Sequence, residues 1–416
     1  MNVPRDSDEA SSVRTLDYAT AMTLLKTLAV ANYRSIRSLV VPLGELTLVT
    51  GPNGSGKSNL YRALRLLSEA AQGGIVASLA KEGGLASTLW AGPEQISRRM
   101  KSGEIPVQGG PRTRVVALRL GFMTEAIGYC IDLGLPSPEI PPPAEPSAFQ
   151  LDPEIKRECV WAAPALRPAS MLVDRRGPLV RIRRSDGEWD VIGKHLPTFE
   201  SMLSVMADPE RAPELLRLRE EVRSWRFYDH FRADSDSAVR QVQLGTRTPV
   251  LAHDGRDVAA AIQTIIEIGD RTALDRAVED AFPGARVYVE HGAGRFSLMF
   301  SQHGLLRPLS AAELSDGTLR YLLWIAALLT PRPPALMILN EPETSLHPDL
   351  LPALARLMAQ TAKQTQIWVV SHASRLIAAL RETPNCTTIN LCKELGETAI
   401  EDQGILDAPS WRWPER

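Results

Sequence analysis

Eight consecutive residues, Gly51-Pro52-Asn53-Gly54-Ser55-Gly56-Lys57-Ser58, have the types and spacing to hold a polyphosphate. They fit the pattern G-x-x-x-x-G-K-[ST]. Its glycines let the backbone curl until successive N–H groups and a helix N-terminus face the phosphates. Lys57 then brings charge to the β and γ oxygens, and the Ser58 hydroxyl is offered to Mg²⁺. Asn53, Gly54, Ser55, Gly56 and Asn59 complete the expected contacts to ATP. The alternative is an ordinary glycine-rich turn. The alternating apolar run Glu45–Thr50 before the motif and the helical pattern Asn59–Leu67 after it decide against that, because this loop must join a strand to a helix.

Three further groups have chemistry to offer. The apolar run Ala335–Leu339 ends in Asn340-Glu341-Pro342-Glu343, where a carboxylate at a strand end can face the metal and an attacking water. Glu341 is the expected general base. Asn340 keeps an acceptor oxygen for Mg²⁺ or its water, without the charge of an acid. Leu314-Ser315-Asp316-Gly317-Thr318 opens a long helical pattern, and Ser315 with Gly317 would present a hydroxyl, free N–H groups and a positive dipole end to a phosphate. Taken alone, Ser315 reads as an ordinary N-cap. Trp368-Val369-Val370-Ser371 is a buried strand pattern ending at His372. In this order the histidine is expected to sense the γ-phosphate.

These groups need a scaffold. Short strands are expected at Leu25–Ala31, Leu39–Pro42 and Glu45–Thr50. Glycine, proline and charge then break the pattern from Gly73 to Gly110. A hairpin is expected from Thr113–Gly121 and Ile127–Leu133, then a proline-rich loop over Pro136–Pro146 and further hairpins over Met171–Asp190. Helical periodicity marks Thr198–Ala207, Ala212–Phe231, Val258–Ile268 and Ala273–Phe282. Two strands, Arg286–Glu290 and Phe296–Ser301, precede an alternation of helix and strand: Ser315–Leu329, Ala335–Leu339, Pro348–Thr361 and Gln366–Ser371. Such alternation predicts a parallel sheet with crossover helices. The expected fold is an α/β head with a mixed sheet, built from 22–101 and 280–416, interrupted by an α+β insert of hairpins and helices over 102–279. Residues 1–21 are expected to be a flexible leader.

With 44% apolar and 23% charged residues, the composition is that of a folded chain rather than a disordered one. The net charge of −2 provides no overall basic field, so any nucleic-acid contact must come from a local patch. Cys130, Cys159, Cys386 and Cys392 show no C-x-x-C pairing and are expected to be buried thiols in a reducing compartment. The first residues lack the apolar core of a secretory signal, and Tyr321–Leu329 is too short to span a bilayer. The expectation is a cytoplasmic protein with no membrane partner.

Together, the P-loop, the Leu-Ser-x-Gly signature, Glu-Pro-Glu after the second strand, Ser345-Leu346-His347-Pro348 as a D-loop and His372 as a switch histidine resemble an ABC-type ATPase head. Asn32-Tyr33-Arg34-Ser35 before the P-loop and Glu-Pro-Glu-x-x-Leu-His-Pro after it are similar to the SMC/RecF/OLD-like group of AAA-family ATPases. The resemblance covers roughly residues 24–70 and 305–385. It implies a P-loop ATPase head that forms a homodimer with ATP at the interface, each nucleotide held by one copy's P-loop and the other copy's Ser315–Gly317. It also implies that Arg34 lies near the nucleotide and that Gln95 or Gln108 is the Q-loop glutamine. The chain departs from the group's pattern at Asn340, Asp316 and Thr318. Some OLD-like proteins carry a Toprim nuclease, but residues 373–416 contain no clustered acidic metal site, so no Toprim domain is expected.

Two functions fit this resemblance: an ATP-driven clamp or switch acting on DNA in repair or phage defence, and a regulatory ATP-binding module gating a separate effector protein. A transporter ATPase is disfavoured by the large insert and the Glu-Pro-Glu motif. For DNA, the candidate patch is Arg167, Arg175, Arg176, Arg181, Arg183 and Arg184 around a single acid, Asp174. Strand alternation puts Arg181 and Arg183 on one face, which could follow a phosphate backbone. The plainer reading is a solvated edge.

Overall fold

Leu46–Thr50, Leu336–Asn340 and Gln366–Val370 are short apolar runs buried along almost their whole length, the pattern of strands covered on both faces. In the computed structural model, which describes residues 24–109, 115, 117–137, 147–404 and 407–415, they lie side by side in a six-stranded sheet. Its order is Arg226–Tyr228, Leu336–Asn340, Gln366–Val370, Leu46–Thr50, Cys386–Glu394 and Glu397–Ile400. The first five strands are parallel and the last is antiparallel, so the sheet is mixed as expected. The expected leader and most of the proline-rich loop lie outside the described residues.

Side-chain alternation divides these strands between two cores. Leu336, Ile338, Trp368, Val370 and Val49 pack into one cluster with Leu60, Leu64 and Leu67 of the P-loop helix Lys57–Ala71. Met337, Leu339, Ile367, Val369, Leu46 and Leu48 pack into the other, with helices Val258–Ile268, Asp316–Leu328 and Leu351–Thr361. A period of two in the strands thus builds two cores from one sheet. The P-loop helix is covered on its far side by an eight-stranded antiparallel sheet. Its order is Ile36–Pro42, Leu25–Tyr33, Leu118–Thr124, Ile127–Gly134, Glu154–Ala162, Met171–Arg176, Leu179–Arg183 and Trp189–Gly193. Gln366 staples the two sheets. Its amide donates to Leu25 O and Gly44 O, each at 2.8 Å, and accepts from Leu25 N at 2.8 Å, so this buried side chain is satisfied.

Several expectations change. Leu118–Thr124 pairs directly with Leu25–Tyr33, so the hairpins continue a sheet begun in the head. Arg226–Tyr228 joins the parallel sheet beside Leu336–Asn340. Strands of the stretch 102–279 therefore take part in both sheets together with strands of the head. The helix expected over Ala212–Phe231 ends at Ser224, because the Arg-Phe-Tyr triplet Arg226–Tyr228 finds an open sheet edge. Of Thr198–Ala207, only Met202–Val205 is helical. Helix Ile75–Lys81 forms inside the glycine-rich stretch, and strand Glu154–Ala162 was not expected. Cys130 and Cys159 are buried, but Cys386 and Cys392 are only half-buried, and all four are free thiols. No helix among the described residues is long and apolar enough to cross a membrane.

Candidate functional site

The loop after Leu46–Thr50 is built around glycines at positive φ, two of which leave no room for a side chain. Gly51, Gly54 and Gly56 have φ of 141°, 77° and 109°. A Cβ on Gly51 would meet Leu391 O at 2.2 Å, and one on Gly56 would meet Thr398 Oγ1 at 2.2 Å. The Lys57 ammonium donates to Gly51 O at 2.6 Å and to Pro52 O at 3.1 Å. An ammonium has three protons, so one donor remains for a phosphate. Ser55 Oγ is buried with no partner, an orphaned polar atom inside the cradle. Asn53, Gly54 and Ser58 are exposed and Asn59 is half-buried.

A chain of hydroxyls fastens this cradle to distant segments. Asn59 Nδ2 donates to Ser35 Oγ at 2.8 Å, Ser35 Oγ meets Thr398 Oγ1 at 2.7 Å, and Thr398 Oγ1 donates to Ser55 O at 2.9 Å. Because Thr398 spends its proton on Ser55 O, Ser35 must be the donor to Thr398. Neither Ser35 nor Thr398 was picked out as a site residue. Arg34, expected near the nucleotide, has φ of 50° and donates to Glu82 Oε2 through Nη2 at 2.7 Å and Nε at 3.1 Å. Gln95 and Gln108 are both exposed, and no hydrogen bond among the described residues ties either to the P-loop.

Asn340 ends its strand opposite Val370, the strand end that leads to His372. Glu341 follows with φ of 50°, its N–H held by Val370 O at 2.8 Å, and Ser345 has φ of 62°. Two left-handed non-glycine residues in one turn cost about 1–3 kcal/mol each and are typical of functional loops. His372 Nδ1 lies 3.7 Å from Glu341 Oε1 and 3.5 Å from Glu343 Oε1. The structure therefore brings Glu341 and His372 together, with Glu343 against the same imidazole nitrogen. Glu343 is 8% exposed. Its Oε1 accepts from Ser371 Oγ at 2.7 Å, His372 N at 2.9 Å and Ala373 N at 3.1 Å. The second acid of Glu-Pro-Glu thus holds the histidine's backbone in place, a role the sequence reading missed.

This arrangement makes a stability prediction. Glu343→Ala takes this acceptor from Ser371 Oγ and His372 N and leaves Ala373 N with Ser371 Oγ at 3.2 Å, and is expected to cost roughly 1–3 kcal/mol. Glu343→Gln keeps an acceptor oxygen and should cost less. Urea denaturation of the two variants checks the order.

Ser315 caps helix Asp316–Leu328, its Oγ accepting from Thr318 N at 3.1 Å and meeting Thr318 Oγ1 at 2.8 Å. A Cβ on Gly317 would lie 3.2 Å from Ser345 O, so glycine lets the helix start lie against the D-loop of the same chain. Asp316 accepts from Arg240 Nη2 at 2.6 Å. The departures at Asp316 and Thr318 therefore have local partners. Among the described residues no hydrogen bond joins Ser315–Gly317 to the P-loop of the same chain.

The family model described as "AAA domain, putative AbiEii toxin, Type IV TA system" matches residues 46–108 and 193–378, more than half of the chain. The chain belongs to this AAA-domain family. The match takes in the P-loop, the signature, Glu341 and His372, and leaves out 109–192, where most of the antiparallel sheet is formed. A stretch of 44 residues is 46% identical to the OLD nuclease of Thermus scotoductus, covering 11% of this chain and 8% of that protein. Among solved structures, the SMC head bound to the C-winged helix domain of ScpA is similar at 12% identity and a TM-score of 0.47, over 92% of this chain and 99% of that one. The SMC head domain from Thermotoga maritima is similar at 14% identity and a TM-score of 0.41, over 92% and 99%.

The AAA-domain site has the donors a nucleotide needs: an unspent Lys57 proton, an orphaned Ser55 hydroxyl and a loop curled by glycines. Among the described residues no cluster of three or more His, Cys, Asp or Glu could hold a metal. Mg²⁺ bound with a nucleotide does not call for such a cluster, since it takes one or two protein ligands and completes its shell with phosphates and water. Ser58 and Asn340 are the residues that would hold it.

Proposed function

We propose that this chain binds Mg²⁺·ATP at Gly51–Ser58 and hydrolyses it. The carrying observation is that the Lys57 cradle, Glu341 and His372 follow three adjacent parallel strands of one sheet. Lys57 and the loop N–H groups bind the phosphates, and Mg²⁺ neutralises their charge when bound. Glu341 takes a proton from the attacking water as its oxygen bonds to the γ-phosphorus and the bond to ADP breaks. His372, fixed by Glu343, donates a hydrogen bond to the γ-phosphate. Ser315 and Gly317 act on the nucleotide of a second copy, which makes ATP the cement of a homodimer. In support, Ser315 is exposed and has no hydrogen bond to its own P-loop.

Mixing tests the shared site. Ser315→Arg and Lys57→Ala should each be inactive alone, while a mixture should regain turnover from the one intact composite site in each heterodimer. No recovery would mean that each chain works alone.

For the partner moved by turnover, the arginine contacts weaken the case for DNA at this patch, which leaves an effector protein as the reading taken. Arg157, Arg176 and Arg181 converge on Asp174 at 3.0, 3.3 and 2.9 Å. Arg175 is fully buried against Glu158, and Arg183 donates to Pro168 O and Ala169 O. Arg181 and Arg183 do share a face, and each is tied within its own chain, Arg181 to Asp174 and Arg183 to carbonyls of the turns at Pro168–Ala169 and Gly187. Arg181→Glu with Arg183→Glu should leave any DNA binding at low salt unchanged. A uniform loss with a flatter salt dependence would restore the DNA reading.

A further inference from the structure

Arg240 closes the short 3-10 turn Ala238–Arg240, and its side chain is 9% exposed. Nε donates to Ala233 O at 2.9 Å and Asp234 O at 3.2 Å. Nη1 reaches Ala311 O at 3.0 Å, Ala312 O at 3.1 Å and Leu314 O at 2.8 Å, and Nη2 reaches Asp316 Oδ1 at 2.6 Å. The carbonyls of 311, 312 and 314 belong to the loop that enters Ser315. Turned toward one planar, permanently charged fork, they set the backbone angles of that loop and the direction in which the helix begins.

The other end of the latch is also informative. Ala233 and Asp234 follow the strand Arg226–Tyr228, whose Tyr228 pairs with Leu339 beside Asn340. Farther along the signature helix, Arg320 donates through Nε to Phe231 O at 3.0 Å. Two arginines thus bind the signature helix to the chain leaving the strand next to Glu341. A guanidinium with every nitrogen engaged, aimed at the residues just before Ser315, suits a part whose position must be held to a fraction of an ångström.

We propose that Arg240 is a positioning residue for the signature, fixing Ser315 and Gly317 where they meet the nucleotide held by a second copy. This rests on the reading that Ser315–Gly317 act across a dimer. No hydrogen bond among the described residues joins Arg240 to the P-loop of its own chain, so its loss should spare ATP binding by the monomer and remove what the signature contributes.

Arg240→Ala is expected to bind a fluorescent ATP analogue like the unaltered chain, with turnover lower by about tenfold or more. Arg240→Lys keeps the charge but not the fork, and should fall between. If Arg240→Ala fails to fold, Asp316→Ala removes only the exposed end of the latch and should still lower turnover several-fold at unchanged ATP affinity. The deciding measurement mixes Arg240→Ala with Lys57→Ala, beside the Ser315→Arg mixture. Recovery in both supports the proposal, because the Lys57→Ala chain supplies an intact latch and signature. Recovery with Ser315→Arg but not with Arg240→Ala overturns it and leaves the shared site standing. Failure of both mixtures overturns the shared site, and the proposal with it. Unchanged turnover in the Arg240→Ala and Asp316→Ala variants also overturns it.

Discussion

Lys57→Ala is expected to lower the affinity for Mg²⁺·ATP by about two orders of magnitude or more, to the limit of detection in calorimetry. Lys57 is the only cationic side chain in Gly51–Ser58, and at 7% exposure it sits inside the cradle. Its ammonium braces the loop through Gly51 O and Pro52 O and keeps one proton for the phosphates. Truncation removes all three contacts, and a hydrogen bond to a charged group contributes roughly 1.5–3 kcal/mol. At about 1.4 kcal/mol per tenfold change, the phosphate contact alone accounts for one to two orders of magnitude, and loosening of the loop adds to it. The glycine conformations and the Thr398 bond to Ser55 O do not depend on Lys57, so the variant should fold. Nucleotide affinity equal to that of the unaltered chain would remove the phosphate assignment from this loop.

What was legible in the sequence was chemistry carried by local pattern. The glycines of the P-loop, Glu341 after an apolar strand, Ser315 at a helix start and His372 after a buried strand all announce themselves within a few residues. The three central strands were legible because strands buried on both faces are unbroken apolar runs. What was not legible depends on contacts between distant segments. Thr398 meets Ser55 across 343 residues, and nothing near Thr398 marks it. Strand Glu154–Ala162 was hidden by its own charges. Arg157 and Glu158 look like solvent-facing residues until Asp174 and Arg175 are found opposite them. In the arginine patch alternation gave the right face for Arg181 and Arg183, but not the contacts of Arg157 and Arg181 with Asp174 on the strand between them. Arg226–Tyr228 is three residues long and follows a helix with no glycine or proline at the break, so periodicity ran through it. Glu343 was in plain view as part of Glu-Pro-Glu, but its role exists only once Ser371–Ala373 folds over it.

Glu341→Gln is expected to retain ATP binding and lose hydrolysis by about 10²–10⁴-fold, the usual contribution of a positioned proton acceptor. Glutamine has the same length and shape, so the turn with φ of 50° and the bond from its N–H to Val370 O should persist. Lys57 and the P-loop are untouched. An amide cannot take the proton that the attacking water must lose, so ATP should be bound and not consumed. If two copies close around it, the variant should accumulate as a dimer with ATP, visible by light scattering, while the unaltered chain returns to monomer as ATP is spent. A variant that stays monomeric with ATP bound would count against closure. Turnover close to that of the unaltered chain would take the base role from Glu341. His372, whose Nδ1 stands 3.7 Å from that carboxylate, would then be the next acceptor to test, through His372→Ala.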